Sequence, residues 1–303
     1  MTSRLPFRRF RHSLLLPLVK LFAFMVRVMP RKLIWMTAAI LGFAASLIPG
    51  RSRRIFKINE KHIIRPCGLK VRLSHVYRYI ISGMSDFINL NYRSDDEFRQ
   101  AVEIRGEEYM RDALSLGKGV IAITAHYSAW ELIPRAILLL GHKVGVVSRE
   151  LSHRETSEYF NSLRSRCGTE LINRGGGIAR LMRVLRDNTA VGILIDQDTL
   201  GVESDFVDFM GLPARTPVGP AQLAVRFGIP VLTLHISRGK EGKYTLQIDE
   251  PLDLSEYEVD KDYIKLTADL TGRIEEWVRE DPEQWVWIHE RWARRPGWAP
   301  GLR

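Results

Sequence analysis

The chain has 303 residues, 45% of them hydrophobic and 26% charged, a balance that excludes a disordered protein and allows one large or two smaller domains with a substantial core. Its net charge of +10 is unevenly placed: residues 1 to 59 hold twelve Lys or Arg and no Asp or Glu, leaving the remainder with 33 basic and 35 acidic residues. A nearly neutral body with a cationic amino-terminal segment points to an anionic surface, either lipid headgroups or nucleic acid.

What lies between the charges favours lipid. Leu14 to Val19 and Leu21 to Val26 are apolar runs separated by Lys20 and closed by Arg27, and Leu33 to Ile48 carries no charge. Basic residues alternating with long apolar stretches suit a membrane better than a nucleic acid. Sixteen helical residues reach about 24 Å, short of the roughly 30 Å hydrocarbon core, so the expectation is a helical hairpin lying in or dipping into one leaflet. No small-residue cleavage site follows the basic start, which argues against a removed signal peptide. Residues 1–60 are therefore read as a basic, apolar membrane-anchoring unit and residues 61–303 as an α/β domain. Cys67 and Cys167 form neither a disulfide framework nor a metal-ligand pair, as expected in a reducing compartment.

From Ile55 to Tyr92 the pattern reads as helices, and from Asp95 to Leu116 as one charged, periodic helix. Short apolar runs then alternate with helical stretches. The runs are Val120 to Thr124, Lys143 to Val147, Val191 to Ile195 and Val231 to Ile236; the helices lie near 130–140, 154–167, 178–187 and 220–227. Tyr244 to Ile248 alternates as an edge strand does, and Lys261 to Glu280 is amphipathic. This order predicts a mixed, largely parallel sheet flanked by helices.

His126 and Glu131 follow the first of these runs. Five helical residues turn through about 500°, so the pair would not share a helix face; across a bend at a strand's carboxyl end the two could meet, at the usual ligand edge of an open α/β sheet. Glu131 is then expected to hold one ring nitrogen of His126, leaving the other free to take a proton from a hydroxyl. Asp196, Gln197 and Asp198 follow another run and fall on the same edge. They could orient a neighbour, and by themselves do not make a metal site. Among the basic residues near this edge are Arg149, Arg164, Arg166 and Arg174. A guanidinium offers a fixed fork of donors to an oxyanion or a phosphorylated headgroup. Gly175 to Gly177 lacks the Lys-Ser/Thr of a P-loop, and no Gly-x-Ser-x-Gly is present, so no covalent nucleophile is indicated.

Five blocks, in order, carry a resemblance: His126 to Glu131 (His-Tyr-Ser-Ala-Trp-Glu); Asp196 to Asp198; Ser204 to Phe206 with Phe209 to Gly211; Thr216 to Gly219; and Pro282 to Trp292 (Pro-Glu-Gln-Trp-Val-Trp-Ile-His-Glu-Arg-Trp). With the apolar, basic start they resemble the bacterial lipid A late acyltransferases of lauroyl/myristoyl type, a branch of the lysophospholipid acyltransferase superfamily. The resemblance implies a glycerolipid acyltransferase-like fold. It implies an enzyme on the cytoplasmic face of the bacterial inner membrane, moving a fatty acyl group from an acyl carrier protein thioester to a glycolipid hydroxyl. His126 would be the general base, Glu131 its orienting partner and Arg164 the oxyanion donor, with Arg149, Arg174, Asp196, Gln197 and Asp198 serving the substrate. The thioester is already activated, so no metal or resident cofactor is required. Ser148-Arg149-Glu150 departs from the Tyr-Arg-Pro-like sequence of the commonest lipid A pattern, which leaves a lysophospholipid or another glycolipid open as acceptor. The other readings are a non-catalytic membrane-associated protein and a nucleic-acid binder, the latter disfavoured by the apolar residues between the charges.

Overall fold

The computed structural model describes residues 5–148, 154–173 and 177–297. Two helices, α1 (Leu5–Val28) and α2 (Arg31–Leu47), are broken at Pro30, which opens α2 in extended conformation. The next, α3 (Arg51–Asn59), continues through a π-helical turn, Glu60–Ile64. Among the described residues no single helix is long and apolar enough to cross a membrane, although α2 and the run Arg51–Ile64, bent by 88°, together have the length and composition of a broken span or re-entrant loop.

The long helix α4 (Leu73–Leu90) carries Asp86, which has no exposed side-chain surface. It accepts from Arg238 Nη1 at 2.8 Å, Tyr244 Oη at 2.7 Å and Arg31 Nε at 3.4 Å. Trp35 of α2 lies between the guanidinium groups of Arg78, 3.6 Å from its ring centre, and Arg238, 4.3 Å away. One carboxylate at Arg31 and one indole at Trp35 thus tie the start of α2 to the body, since a buried charge is tolerated only when paired.

Residues 95–116 are not one helix. They form α5 (Asp95–Ala101), β1 (Val102–Arg105) and α6 (Glu107–Ser115). Ser94 and Glu97 close a reciprocal capping box at the start of α5, a strong local helix signal. Gly106 ends the strand at φ 75°, and a Cβ there would lie 2.1 Å from the carbonyl oxygen of Ile248. This glycine lets β1 run beside the strand ending at Ile248, a long-range contact that charge periodicity does not encode.

The sheet is built from β2 (Val120–Thr124), β3 (Val144–Ser148), β4 (Glu170–Asn173), β5 (Ala190–Leu194), β8 (Val231–Arg238) and β9 (Tyr244–Ile248), with β1 at one edge. Its order is β1-β9-β8-β2-β5-β3-β4. Every pairing is parallel except that of β8 with β9. Two expectations are corrected: Tyr244–Ile248 is an inner strand, because β1 covers it, and β4 extends the opposite edge. A separate hairpin, β6 (Ser204–Phe209) with β7 (Leu212–Pro217), was not foreseen as strands.

All five residues of β2 are buried, as a central parallel strand with helices on both faces requires. One face packs on α4, α5, α6 and α7 (Ile133–Leu139). The other packs on α9 (Gly177–Arg186), α10 (Gly219–Phe227), α11 (Tyr263–Glu280) and the Trp-rich block after Pro282. Each Ile or Val fully buried in such layers stabilises the fold by roughly 1.5–3 kcal/mol relative to exposure.

Candidate functional site

The register of β2 with β5 sets the geometry. Thr124 pairs with Leu194 at the carboxyl ends of both strands, so His126 and Asp196, each two residues further on, emerge side by side. The His126 backbone N–H donates to Asp196 Oδ2 at 2.9 Å, and ring Nδ1 lies 2.8 Å from Oδ1. Trp285 Nε1–H donates to Oδ2 at 2.9 Å. Asp196 is completely buried. Burial works against its charge, but the adjacent His126, by charge and by hydrogen bonds from ring and backbone, outweighs that effect, with His289 adding to it. The carboxyl is held well below the usual carboxylate range. An ionised partner at Nδ1 requires a proton on that nitrogen, which leaves Nε2 as the basic nitrogen.

The Asp196 carboxylate thus occupies the place expected for Glu131. Glu131 instead sits in a short 3₁₀ turn, Trp130–Leu132, and forms a two-point ion pair with Arg164 near the end of α8 (Arg154–Arg166). Arg164 Nε donates to Oε2 at 2.9 Å and Nη2 to Oε1 at 2.5 Å, while Nη1 donates to Asn161 Oδ1 at 3.1 Å. Burial opposes the guanidinium charge, but the hydrogen bonds and charge of Glu131 overcome this and raise its pKa. His126, Glu131 and Arg164 line one cavity. The expected bend between His126 and Glu131 is present, and it separates the two side chains into different pairs.

The terminal amide of Gln197 lies 3.0 Å from His126 Nδ1 and 2.6 Å from His289 Nε2. Removal from water, reinforced by the neighbouring His126, lowers the His289 pKa to about 4, so that imidazole is neutral near pH 7. Asp198 is held by Arg294, whose Nε donates to Oδ2 at 2.8 Å, and by Arg215 at 3.5 Å. Its oxygens are thereby committed to joining the segment after β5 to the carboxyl-terminal block. Among the described residues no cluster of three or more His, Cys, Asp or Glu could hold a metal ion. Arg149 and Arg174 lie outside the described residues. Arg166 covers the Tyr92 ring at 4.5 Å.

The loop after β2 is fixed from two sides. Ser128 takes a positive φ of 50°, and its N–H donates to Gln284 O at 2.8 Å beside an antiparallel bridge from Tyr127 to Trp285. Gln284 in turn accepts from Arg238 N–H at 2.8 Å. Opposite, Gly83 of α4 leaves room for Ser128: a Cβ at Gly83 would lie 2.9 Å from its carbonyl oxygen. Trp285, Trp287, Arg291 and Trp292 are buried, so the aromatic block packs as core. Trp298 is outside the described residues.

The cavity has a volume of about 880 Å³ and is lined mainly by apolar side chains. This is near the upper end of the ~300–1,000 Å³ common for small-molecule sites. From His126 and Trp130 it descends between the sheet and its helices past Ala122, Val144 and Ala190 to Met110. Ala190 and Val144 are the first residues of β5 and β3, so this branch runs the height of the sheet, about 16 Å at the usual strand rise. Trp130 meets the His126 ring edge-on, with centroids 5.1 Å apart. A basic imidazole nitrogen, a nearby guanidinium and a deep apolar channel can together activate a hydroxyl, meet an oxyanion and hold a hydrocarbon chain.

The chain is 27% identical over 195 residues to a phosphatidylinositol mannoside acyltransferase of Mycobacterium tuberculosis (strain CDC 1551 / Oshkosh), covering 62% of this chain and 59% of that protein. It is also 27% identical over 201 residues to a lipid A biosynthesis acyltransferase of Haemophilus influenzae, covering 65% and 60%. The chain thus spans about 60% of the length of the curated relatives it matches. A 1-acyl-sn-glycerophosphate acyltransferase of Thermotoga maritima covers 82% of this chain and 98% of its own at 12% identity and a TM-score of 0.39, a likeness too slight to carry an argument. The model of the bacterial lipid A biosynthesis acyltransferases matches residues 6–294, and the chain belongs to that family.

Proposed function

We propose that the protein is a membrane-associated O-acyltransferase that moves a fatty acyl chain from an acyl thioester, carried by acyl carrier protein, to a hydroxyl of a lipid A precursor or similar glycolipid. The observation that carries this reading is the His126–Asp196 pair at the head of an apolar channel about 16 Å deep. His126 Nε2 accepts the hydroxyl proton, and the acceptor oxygen bonds to the thioester carbonyl carbon. Arg164, held in place by Glu131, faces the resulting oxyanion. The C–S bond then breaks, and His126 returns the proton to the leaving thiolate. Asp196 orients the ring and stabilises its protonated form. The thioester supplies its own activation, so this chain need only align, deprotonate and stabilise.

The amino-terminal helices support a location at the cytoplasmic face of the bacterial inner membrane. Leu21, Phe24, Val28, Met36, Ile40 and Phe43 are exposed in a segment without acidic residues, a combination suited to an anionic bilayer surface. The test is transfer of labelled acyl groups from acyl carrier protein to lipid A precursor and lysophospholipids, using wild type, His126→Ala and Asp196→Asn. Transfer by wild type that is lost in both folded variants supports the reading, and the preferred acceptor names the product. A His126→Ala protein that transfers as well as wild type overturns it.

A further inference from the structure

The channel beneath β2 and β5 is only one branch of the cavity. The same space passes over the carboxyl end of β5 and continues on the opposite face of the sheet, between Ile172, Leu181, Ile193 and Leu223. Alternation along the strands makes the two branches distinct. Ala122, Val144 and Ala190 belong to the core layer containing α4 and α6, whereas Ile172, Ile193 and Leu223 belong to the layer containing α10 and α11. The second branch is open. Ile178 and Leu200 line it and are 62% and 69% exposed. Polar groups sit at its rim, where Gln222 donates to Glu203 at 3.0 Å.

Resting on the acyl-transfer reading, we propose that this second branch holds a hydrocarbon chain already present on the acceptor, on the face of the sheet opposite the chain being transferred. A transfer between lipids brings two chains to one imidazole, and the sheet keeps them on opposite faces. The enclosed branch surrounds the chain being transferred. The open branch, continuous with it at His126, receives a chain from the side, with the headgroup at the polar rim. Two large apolar side chains exposed at the mouth of a continuous apolar cavity fit an apolar occupant.

The experiment uses the full chain in detergent, with one glycolipid acceptor and its fully deacylated counterpart. Ile178→Gln and Leu200→Gln alter exposed residues, so folding is not at stake. The double variant is expected to raise the acceptor KM for the chain-bearing lipid about tenfold, as the loss of apolar contact at two side chains implies. The donor KM should stay within about twofold, and the deacylated acceptor should show no comparable penalty. An unchanged KM for the chain-bearing lipid, or an equal penalty with the deacylated acceptor, overturns the proposal. A second measurement needs no turnover: an acceptor lipid carrying a diazirine at its chain end should crosslink to α9 and α10, and crosslinks at Met84 or Met110 would instead place it in the enclosed branch. Failure of wild type to transfer to any lipid would reject the acyl-transfer reading itself, an outcome distinct from transfer that ignores Ile178 and Leu200.

Discussion

Asp86 and Asp196 are both fully buried carboxylates, yet they are used differently. Asp86 meets Arg238, Arg31 and Tyr244, so the cluster is a fixed tie between α2, α4, β8 and β9. Asp196 meets an imidazole, a backbone N–H and an indole. The imidazole has a second ring nitrogen that this carboxylate leaves free, so the same buried negative charge becomes a means of fixing its tautomer. The partner, more than the burial, decides whether such a carboxylate locks a fold or orients a ring that could act as a base.

The largest effect expected from breaking this contrast is on catalysis. His126→Ala should lower the transfer rate by about 10³–10⁴-fold, the upper range for a positioned general base. Its stability loss should be smaller than that of an Asp86 variant, because Asp196 keeps the His126 backbone N–H and the Trp285 indole; single-turnover kinetics and denaturant unfolding check the two halves. Asp86→Ala should do the reverse. By leaving Arg238 buried without its carboxylate it should cost about 3–5 kcal/mol, seen as a lower denaturation midpoint. Arg164→Lys keeps the charge but loses the two-point geometry, and should reduce kcat roughly 10²-fold with little change in donor KM.

Acid should sharpen the contrast. Asp196 lies below its ordinary range in the folded state, so its contribution to stability is present above the unfolded carboxyl pKa and fades only as pH falls through its lowered value. His235 and His289 are both lowered from 6.5 to about 4 by burial, and His289 also by His126. Between those values the unfolded chain binds protons that the folded chain refuses, so stability falls as pH drops from 6.5 toward 4. Melting temperatures across this window should decline, and His289→Gln or His235→Gln should flatten the decline. A slope unchanged in both variants would show that these rings do not cause it. The smallest expected effect is from Gly83→Ala, whose Cβ presses on the Ser128 carbonyl. A cost of about 1–3 kcal/mol and a modest fall in kcat should appear together, because the loop carrying His126 must shift.

The α/β layering was legible because apolar runs at helix and strand periods survive in one sequence. His126, Glu131, Arg164, Asp196 and Gln197 stand out in the sequence, and the fold brings them to one sheet edge. Their partners were not legible. Glu131 is five residues from His126, yet the nearby carboxylate is Asp196, seventy residues away, because parallel pairing of β2 with β5 aligns the two strand ends. Placing Val120–Thr124 against Ala190–Leu194 in equal register would have found the pair, but no local pattern states which strands are neighbours. The same cause hid β1, whose four residues sit between two helices and are strand only because β9 lies alongside. The contacts of His289 with Gln197 and of Trp285 with Asp196 have no local sequence signal, since they come from packing across the molecule.

The indole that donates to Asp196 belongs to residue 285, whereas the exposed apolar arm is made first. On a ribosome adding about 5–20 residues per second, the arm emerges roughly ten to fifty seconds before Trp285. A nascent chain therefore presents its apolar, cationic segment before Trp285 is there to complete the hydrogen bonds around the Asp196 carboxylate.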